Sequence, residues 1–271
     1  MNDANKLVAK KSLGQHFLTS PLVPRLMCDA ADLAPGDFVV EIGPGTGVLT
    51  KEILDRGATV VALEADQRAI TFLAQTFEAE IKARKLTIIH CDVRSLEVAS
   101  LPIPAGRNYK VVANIPYYLS GLLFRTFLAA PRQPSTLVYL VQKEVAKRAT
   151  ASLKRGEKES LLSLSIKAYG EPRYIKTVSR GHFTPPPKVD SGIIAITNIS
   201  RHRFAMYDET RFFELLHLGF GQKRKQLLGN LTPTFDRNQL MEAFHTLEIT
   251  TTIRAEDLSI DDWFRLAHAL S

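Results

Sequence analysis

Between residues 36 and 142, short and almost unbroken apolar runs alternate with segments whose apolar residues recur every three or four positions. The runs are FVVEI (38–42), TVVALE (59–64), LTIIHCD (86–92), YKVVAN (109–114) and TLVYLVQ (136–142). Such continuity predicts strands covered on both faces. Residues 48–56, 67–83 and 120–129 carry the helical spacing. Repeated strand-helix units with short connections predict a parallel, doubly wound α/β sheet. After residue 142 the alternation stops. A basic segment with helical potential leads to YIKTVS (174–179), the proline-stiffened loop GHFTPPPKVDS (181–191) and IIAITNI (193–199). These last two runs leave no room for a crossover helix between them and are expected to pair antiparallel. From residue 201 the pattern is helical only, around Phe212, Leu216, Leu240, Phe244, Trp263 and Leu266. The expected division is an α/β domain over 1–200 and a small C-terminal helical domain over 201–271.

Of the 271 residues, 45% are hydrophobic and 23% charged, values of an ordinary folded chain. No apolar run reaches the ~18 residues that cross a bilayer, so no membrane partner is expected. The N-terminal lysines have no apolar stretch behind them, unlike a secretory signal. Only Cys28 and Cys91 are present, as suits a reducing compartment; a cytoplasmic location is the expectation. The net charge of +7 favours a polyanionic partner. Residues 132–179 concentrate it, with ten basic and four acidic side chains, Lys147 and Arg148 among them.

Chemistry enters at EIGPGTG (41–47), which ends the first strand and opens the first helix. Gly43, Gly45 and Gly47 let the backbone turn sharply and approach a nucleotide-type ligand with no Cβ between them. Val48 stands where the dinucleotide fingerprint GxGxxG needs its third glycine, so a nicotinamide cofactor is disfavoured. Glu64 ends the second strand, where a carboxylate accepts hydrogen bonds from ribose hydroxyls. Asp92 ends the third predicted strand and Asn114 the fourth. In an open parallel sheet ligands bind beyond the carboxyl ends of the strands, so Gly43, Glu64, Asp92 and Asn114 are expected to line one crevice.

At the fourth strand end stands Asn114-Ile115-Pro116-Tyr117. A nucleobase amine is a poor nucleophile because its lone pair is delocalised into the ring. The Asn114 side-chain oxygen and a nearby backbone carbonyl, that of Ile115, are suited to accept its two N–H bonds and stabilise charge as it attacks. Tyr117 is suited to stack on the base, and Phe183 to clamp the other face of an extruded one. The methyl donor this implies is S-adenosylmethionine, with no metal required.

Together these motifs resemble the ribosomal RNA adenine dimethyltransferases, in the KsgA/RsmA branch that modifies two adjacent adenines near the 3′ end of small-subunit (16S) rRNA. The resemblance begins with KKSLGQHFL (10–18). It runs through EIGPGTGVLTKEIL, ALEAD, CDV, NIPYYLS and HFTPPPKVDSGII to FGQKRKQLLGNL (220–231) and RAEDLS (254–259). It implies a Rossmann-like class I methyltransferase sheet with a C-terminal helical domain. The donor contacts it implies are His16, Leu18, Gly43, Gly45, Glu64, Asp92 and Asn114. Asn114, Tyr117 and Phe183 are the implied catalytic group, and the small ribosomal subunit the partner of a monomeric enzyme. Cys91 stands where the family commonly has glycine. Lys223, Arg224 and Lys225 match less regularly and are expected to meet RNA phosphates. Two other readings are an Erm-like methyltransferase of large-subunit (23S) rRNA and a ribosome-assembly factor that keeps the fold without catalysis.

Overall fold

The computed structural model describes Leu7 and residues 14–270, so Lys10 to Leu13 of the KKSLGQHFL motif lie outside the described residues. Seven strands form one sheet: β1 (Phe38–Ile42), β2 (Thr59–Glu64), β3 (Leu86–His90), β4 (Lys110–Asn114), β5 (Thr136–Gln142), β6 (Glu171–Val178) and β7 (Ser191–Thr197). Their order across the sheet is β3-β2-β1-β4-β5-β7-β6. Strands β1 to β5 run parallel, and β7 pairs antiparallel to β5 with Leu137 opposite Ile196. The short link between β6 and β7 allows no crossover, and the chain places them side by side.

Every residue of β1 is buried, as an apolar run sandwiched between helices requires. The helices of this part are α1 (Leu22–Ala30), α2 (Val48–Asp55), α3 (Gln67–Thr76), α4 (Glu78–Lys82), α5 (Ser120–Leu128) and α6 (Lys143–Ala149). The periodicity does not predict α1, whose buried face is Val23, Pro24, Met27 and Cys28 and which packs against α2 and β5. The single helix expected over 67–83 is instead broken at Phe77 (φ −115°, ψ 34°), whose ring turns in over Gly47. Strand β3 stops at His90, two residues short of the predicted end. Asp92 caps a 3₁₀ turn over Val93–Ser95, accepting the Arg94 backbone N–H at 2.9 Å.

The described chain separates into two compact units. One is the chain up to Lys147 together with Pro172–Ile199; the other joins Arg148–Glu171 to the chain from Ser200 onward. The division therefore differs from a cut at residue 200, because 148–171 cluster with the C-terminal helices. Within that unit, α7 (Leu161–Lys167) begins with a Ser160–Ser163 capping box. Its Lys167 and Ser163 both bond the buried Glu159. Helices α8 (Glu209–Gly219), α9 (Leu227–Leu231), α10 (Arg237–Thr246) and α11 (Ile260–Ala269) follow. Phe212 of α8 stacks on Phe264 of α11 with centroids 4.3 Å apart. Ring pairs of this kind contribute ~0.5–1.5 kcal/mol beyond their burial. Among the described residues no helix is long and apolar enough to cross a membrane.

Gly47 tests the packing that shapes the glycine loop. Its φ is +78°, and a Cβ there would lie 2.5 Å from the Phe77 ring and 2.9 Å from Leu73. Gly47→Ala is expected to cost about 2–4 kcal/mol, the sum of overpacking and backbone strain. A denaturant midpoint equal to that of the parent would contradict this account.

Candidate functional site

Register decides where the site lies. Ile42 of β1 is level with Leu63 of β2 on one side and Ala113 of β4 on the other. Gly43, Glu64 and Asn114 therefore each come one step later, along a single edge of the sheet. Glu64 is level with His90 of β3, which brings Cys91 and Asp92 to the same edge. Strand order reverses between β1 and β4, so their outgoing connections diverge and leave a crevice. A cleft of about 1120 Å³, counted out to its open mouth, occupies it. The cleft is lined by each of the expected donor and base contacts: His16, Leu18, Gly43, Gly45, Glu64, Asp92, Asn114, Tyr117 and Phe183.

The glycine loop forms the floor. Gly43 and Gly45 have φ of +64° and +55°, a region L-residues rarely adopt. Among the described residues nothing lies within 4 Å of the place a Gly43 Cβ would take, so the backbone there faces open space. The Glu64 carboxylate is buried and accepts N–H bonds from Gly45 (3.2 Å), Ala65 (2.9 Å) and Asp66 (2.8 Å). Burial raises its pKa against the opposing pull of those three bonds. Asp92 is more exposed, and the Arg94 guanidinium gripping it brings its carboxyl down to about 2.

A short arm closes one side. Phe17–Leu18 pairs antiparallel with Phe183–Thr184, and the Phe17 ring lies over Gly45. His16 holds three elements together. Its Nδ1 donates to the Pro185 carbonyl at 2.7 Å, its ring stacks on Tyr117 at 5.9 Å, and its own carbonyl accepts Asn114 Nδ2 at 3.2 Å. A carbonyl only accepts, so the Asn114 amide is oriented with Nδ2 toward the arm and Oδ1 left as an acceptor. The Pro116 carbonyl is engaged by the Leu119 N–H at 2.9 Å. Tyr117 is fixed by a 2.9 Å bond to Ser191, and burial raises its phenol above the ordinary range.

Phe183, expected on its proline-stiffened loop to clamp the other face of a base, stands in the cleft wall. Its ring is 3% exposed and belongs to the core with Leu18, Val178 and Ile193, bordering the cleft as part of its wall. The reason is the short pairing of residues 17–18 with 183–184, which draws the loop inward. Lys147 and Arg148 are exposed on α6. Lys223, Arg224 and Lys225 are exposed in the turn between α8 and α9, which buried Asn230 ties down through the carbonyls of Gly219 and Gln222.

One cleft residue escapes the motif reading. Glu41 is 1% exposed, and neither carboxylate oxygen has a hydrogen-bond partner among the described residues. Burial pushes its pKa up to about 8 against the pull of the neighbouring Thr50 hydroxyl, with the charge of Glu64 adding to the shift. The available signal was a lone charge inside a strand otherwise apolar on both faces, which is costly unless neutralised or used.

A 3-2-1-4-5-7-6 sheet, with a glycine loop after β1, a carboxylate after β2 and an amide acceptor after β4, is the framework of a class I S-adenosylmethionine-dependent methyltransferase. The model of the family described as ribosomal RNA adenine dimethylase matches residues 6–271, and the chain belongs to that family. Over 267 residues it is 39% identical to the ribosomal RNA small subunit methyltransferase A of Dehalococcoides mccartyi, covering 97% of this chain and 89% of that one. It is 35% identical to the protein of the same name from Enterococcus faecalis, covering 96% and 90%. Two crystal structures share the fold. A dimethyladenosine transferase from Plasmodium falciparum superposes with a TM-score of 0.77 at 24% identity, covering 93% of this chain and 96% of its own. The 23S rRNA methyltransferase ErmE gives 0.71 at 23%, covering 94% and 99%.

Glu41 makes stability depend on pH. Its folded pKa of about 8 stands above the ordinary 4.5. The protonated carboxyl therefore stabilises the ligand-free fold fully below the lower value, and this contribution is lost as pH rises through the upper one. Between pH 6 and 9 the melting temperature of the parent is expected to fall relative to that of Glu41→Gln. Parallel melting curves across that window would count against a buried acid at this position.

Proposed function

We propose that the chain transfers methyl groups from S-adenosylmethionine to the N6 amines of two adjacent adenines near the 3′ end of 16S rRNA, acting as a monomer on the small ribosomal subunit. The observation that carries this reading is the Asn114 amide, held by the His16 carbonyl so that Oδ1 stays available beside the glycine loop. The residues present fit the donor. Gly43 opens a space without a Cβ, Glu64 is suited to accept from ribose hydroxyls, and Asp92 lines the same cleft as a further donor contact. The ionised Asp92 puts negative charge on the wall, which suits a cationic ligand. Bound there, S-adenosylmethionine supplies an electrophilic methyl carried on sulfonium.

The chain's own part is to position the amine. Asn114 Oδ1 accepts one N6–H; the Ile115 carbonyl accepts the second, since that of Pro116 is taken by Leu119. Two acceptors favour a more tetrahedral nitrogen and stabilise its developing positive charge. Tyr117, held by Ser191 and His16, offers a fixed ring to the base, and Phe183 bounds the same space from the core. Holding the amine in line accounts for most of the acceleration. The alkylated nitrogen then releases its proton to water. Lys147, Arg148, Lys223, Arg224 and Lys225 are exposed, and as cations they are suited to neutralise RNA phosphates without reading sequence. The names of the relatives at 35–39% identity favour the small subunit over 23S rRNA.

Asn114→Ala is expected to lower turnover on unmethylated 30S particles about 100-fold or more, with S-adenosylhomocysteine affinity changed only a few-fold by calorimetry. Glu64→Gln is expected to do the reverse, weakening that affinity about tenfold, the loss of one or two hydrogen bonds to a charged acceptor. Unchanged turnover in the Asn114 variant would refute the role given to its amide. Reversing Lys223, Arg224 and Lys225 to glutamate should reduce the slope of log affinity for 30S against log salt by roughly two to three, while leaving calorimetric donor binding intact. An unaltered slope would remove that turn from the RNA contact.

A further inference from the structure

Tyr118 is unlike every other aromatic residue of the protein. Its side chain is 62% exposed, whereas each remaining Phe, Tyr and Trp of the described residues is buried or half-buried. It directly follows the Asn114 to Tyr117 motif, inside the 3₁₀ turn Tyr117–Leu119 that leads into α5. The ring stands at the cleft wall beside the amine site. Gly14 backs it, since a Cβ on that glycine would lie only 3.4 Å from the ring. The hydroxyl makes no hydrogen bond among the described residues and is left to solvent. Exposed Leu122 and Arg125 follow it at the next two turns of α5, and Arg94 lines the same cleft. The cleft mouth therefore presents an aromatic face beside cationic groups, the composition that holds unpaired nucleotides.

We infer that Tyr118 is the platform on which the nucleotide flanking the target adenine stacks, so that two consecutive tyrosines serve two consecutive bases. The inference rests on the RNA-methylating reading above and deepens it. Tyr117 is anchored by Ser191 and faces the base inside the cleft. The next base along the strand is tethered by one sugar-phosphate link and emerges where the Tyr118 ring is open. Stacking tolerates either neighbour sequence because every base has a π-face. Either of two adjacent adenines can thus occupy the platform while the other is methylated. Tyr118 supplies nothing to the reacting atoms; it sets the affinity and register of the RNA.

The test compares the full-length parent with Tyr118→Phe, Tyr118→Leu and Tyr118→Ala on unmethylated 30S particles. S-adenosylhomocysteine calorimetry and melting temperature are measured on each. Tyr118→Phe is expected to match the parent. The leucine and alanine variants are expected to raise KM for the particle about tenfold, the scale of one base–aromatic stack, with kcat, ligand affinity and melting temperature close to those of the parent. A short RNA with 2-aminopurine next to the target adenine gives a direct readout: the parent and Tyr118→Phe quench its fluorescence on binding, and Tyr118→Leu does not. An unchanged KM in the leucine variant, or equal quenching by parent and leucine variant, overturns the inference. So does a loss of ligand affinity and melting temperature together with kcat, which marks a structural role. A parent protein that methylates no adenine in the particle defeats the functional reading itself, an outcome separable from all of these.

Discussion

The protein depends on one geometric constraint: parallel strands held at matched register end together. Ile42, Leu63 and Ala113 stand level across three neighbouring strands, so the residues that follow them emerge along a common edge. At that edge strand order reverses, with β2 on one side of β1 and β5 on the far side of β4. Diverging connections keep the crevice open where the glycine loop, two carboxylates and an amide converge. A slip of one residue in any of these strands would turn its terminal side chain to the opposite face. The burial of nearly every side chain in β1, β2 and β4 is what prevents that slip.

A second layer of order is built from few and distant contacts. His16 reaches Asn114 98 residues away and Pro185 169 residues away, and Phe17–Leu18 pairs with Phe183–Thr184. Each such hydrogen bond contributes only about 0.5–1.5 kcal/mol net, so the arm is held by cooperation rather than by any single link. The same contacts that cover the glycine loop also set the rotamer of the Asn114 amide. Covering of the glycine loop and orientation of the Asn114 amide are in this way parts of one network.

The cleft carries an internal electrostatic tension. Glu41 and Glu64 lie buried near each other, and burial raises both carboxyl pKa values. Asp92, a few residues farther out, is held fully ionised by Arg94. Negative charge at the cleft therefore comes from Asp92 rather than from Glu41, within a chain whose net charge is +7. Positive charge outside attracts a polyanion, while negative charge inside suits a cationic small molecule. Separating the two requires both a surface and an interior, and composition alone describes neither.

Local pattern determined a good deal by itself. Apolar continuity placed the five parallel strands to within a residue or two, since a strand buried on both faces has little freedom in composition. The motifs at their ends named Gly43, Glu64, Asp92 and Asn114 because a ligand-binding turn restricts the residue types that fit. Tertiary structure alone decided the rest. Helix α1 went unread because its short buried face repeats no period long enough to register. The break at Phe77 follows from a ring seeking the space above Gly47, a neighbour 30 positions away in the chain. Residues 148–171 join the C-terminal helices, and Phe183 is drawn into the cleft wall, through pairings between distant segments. Glu41 and Tyr118 share that origin: one is an acid buried in the sheet and the other a ring largely open to solvent, and both properties are relations among segments that only folding brings together.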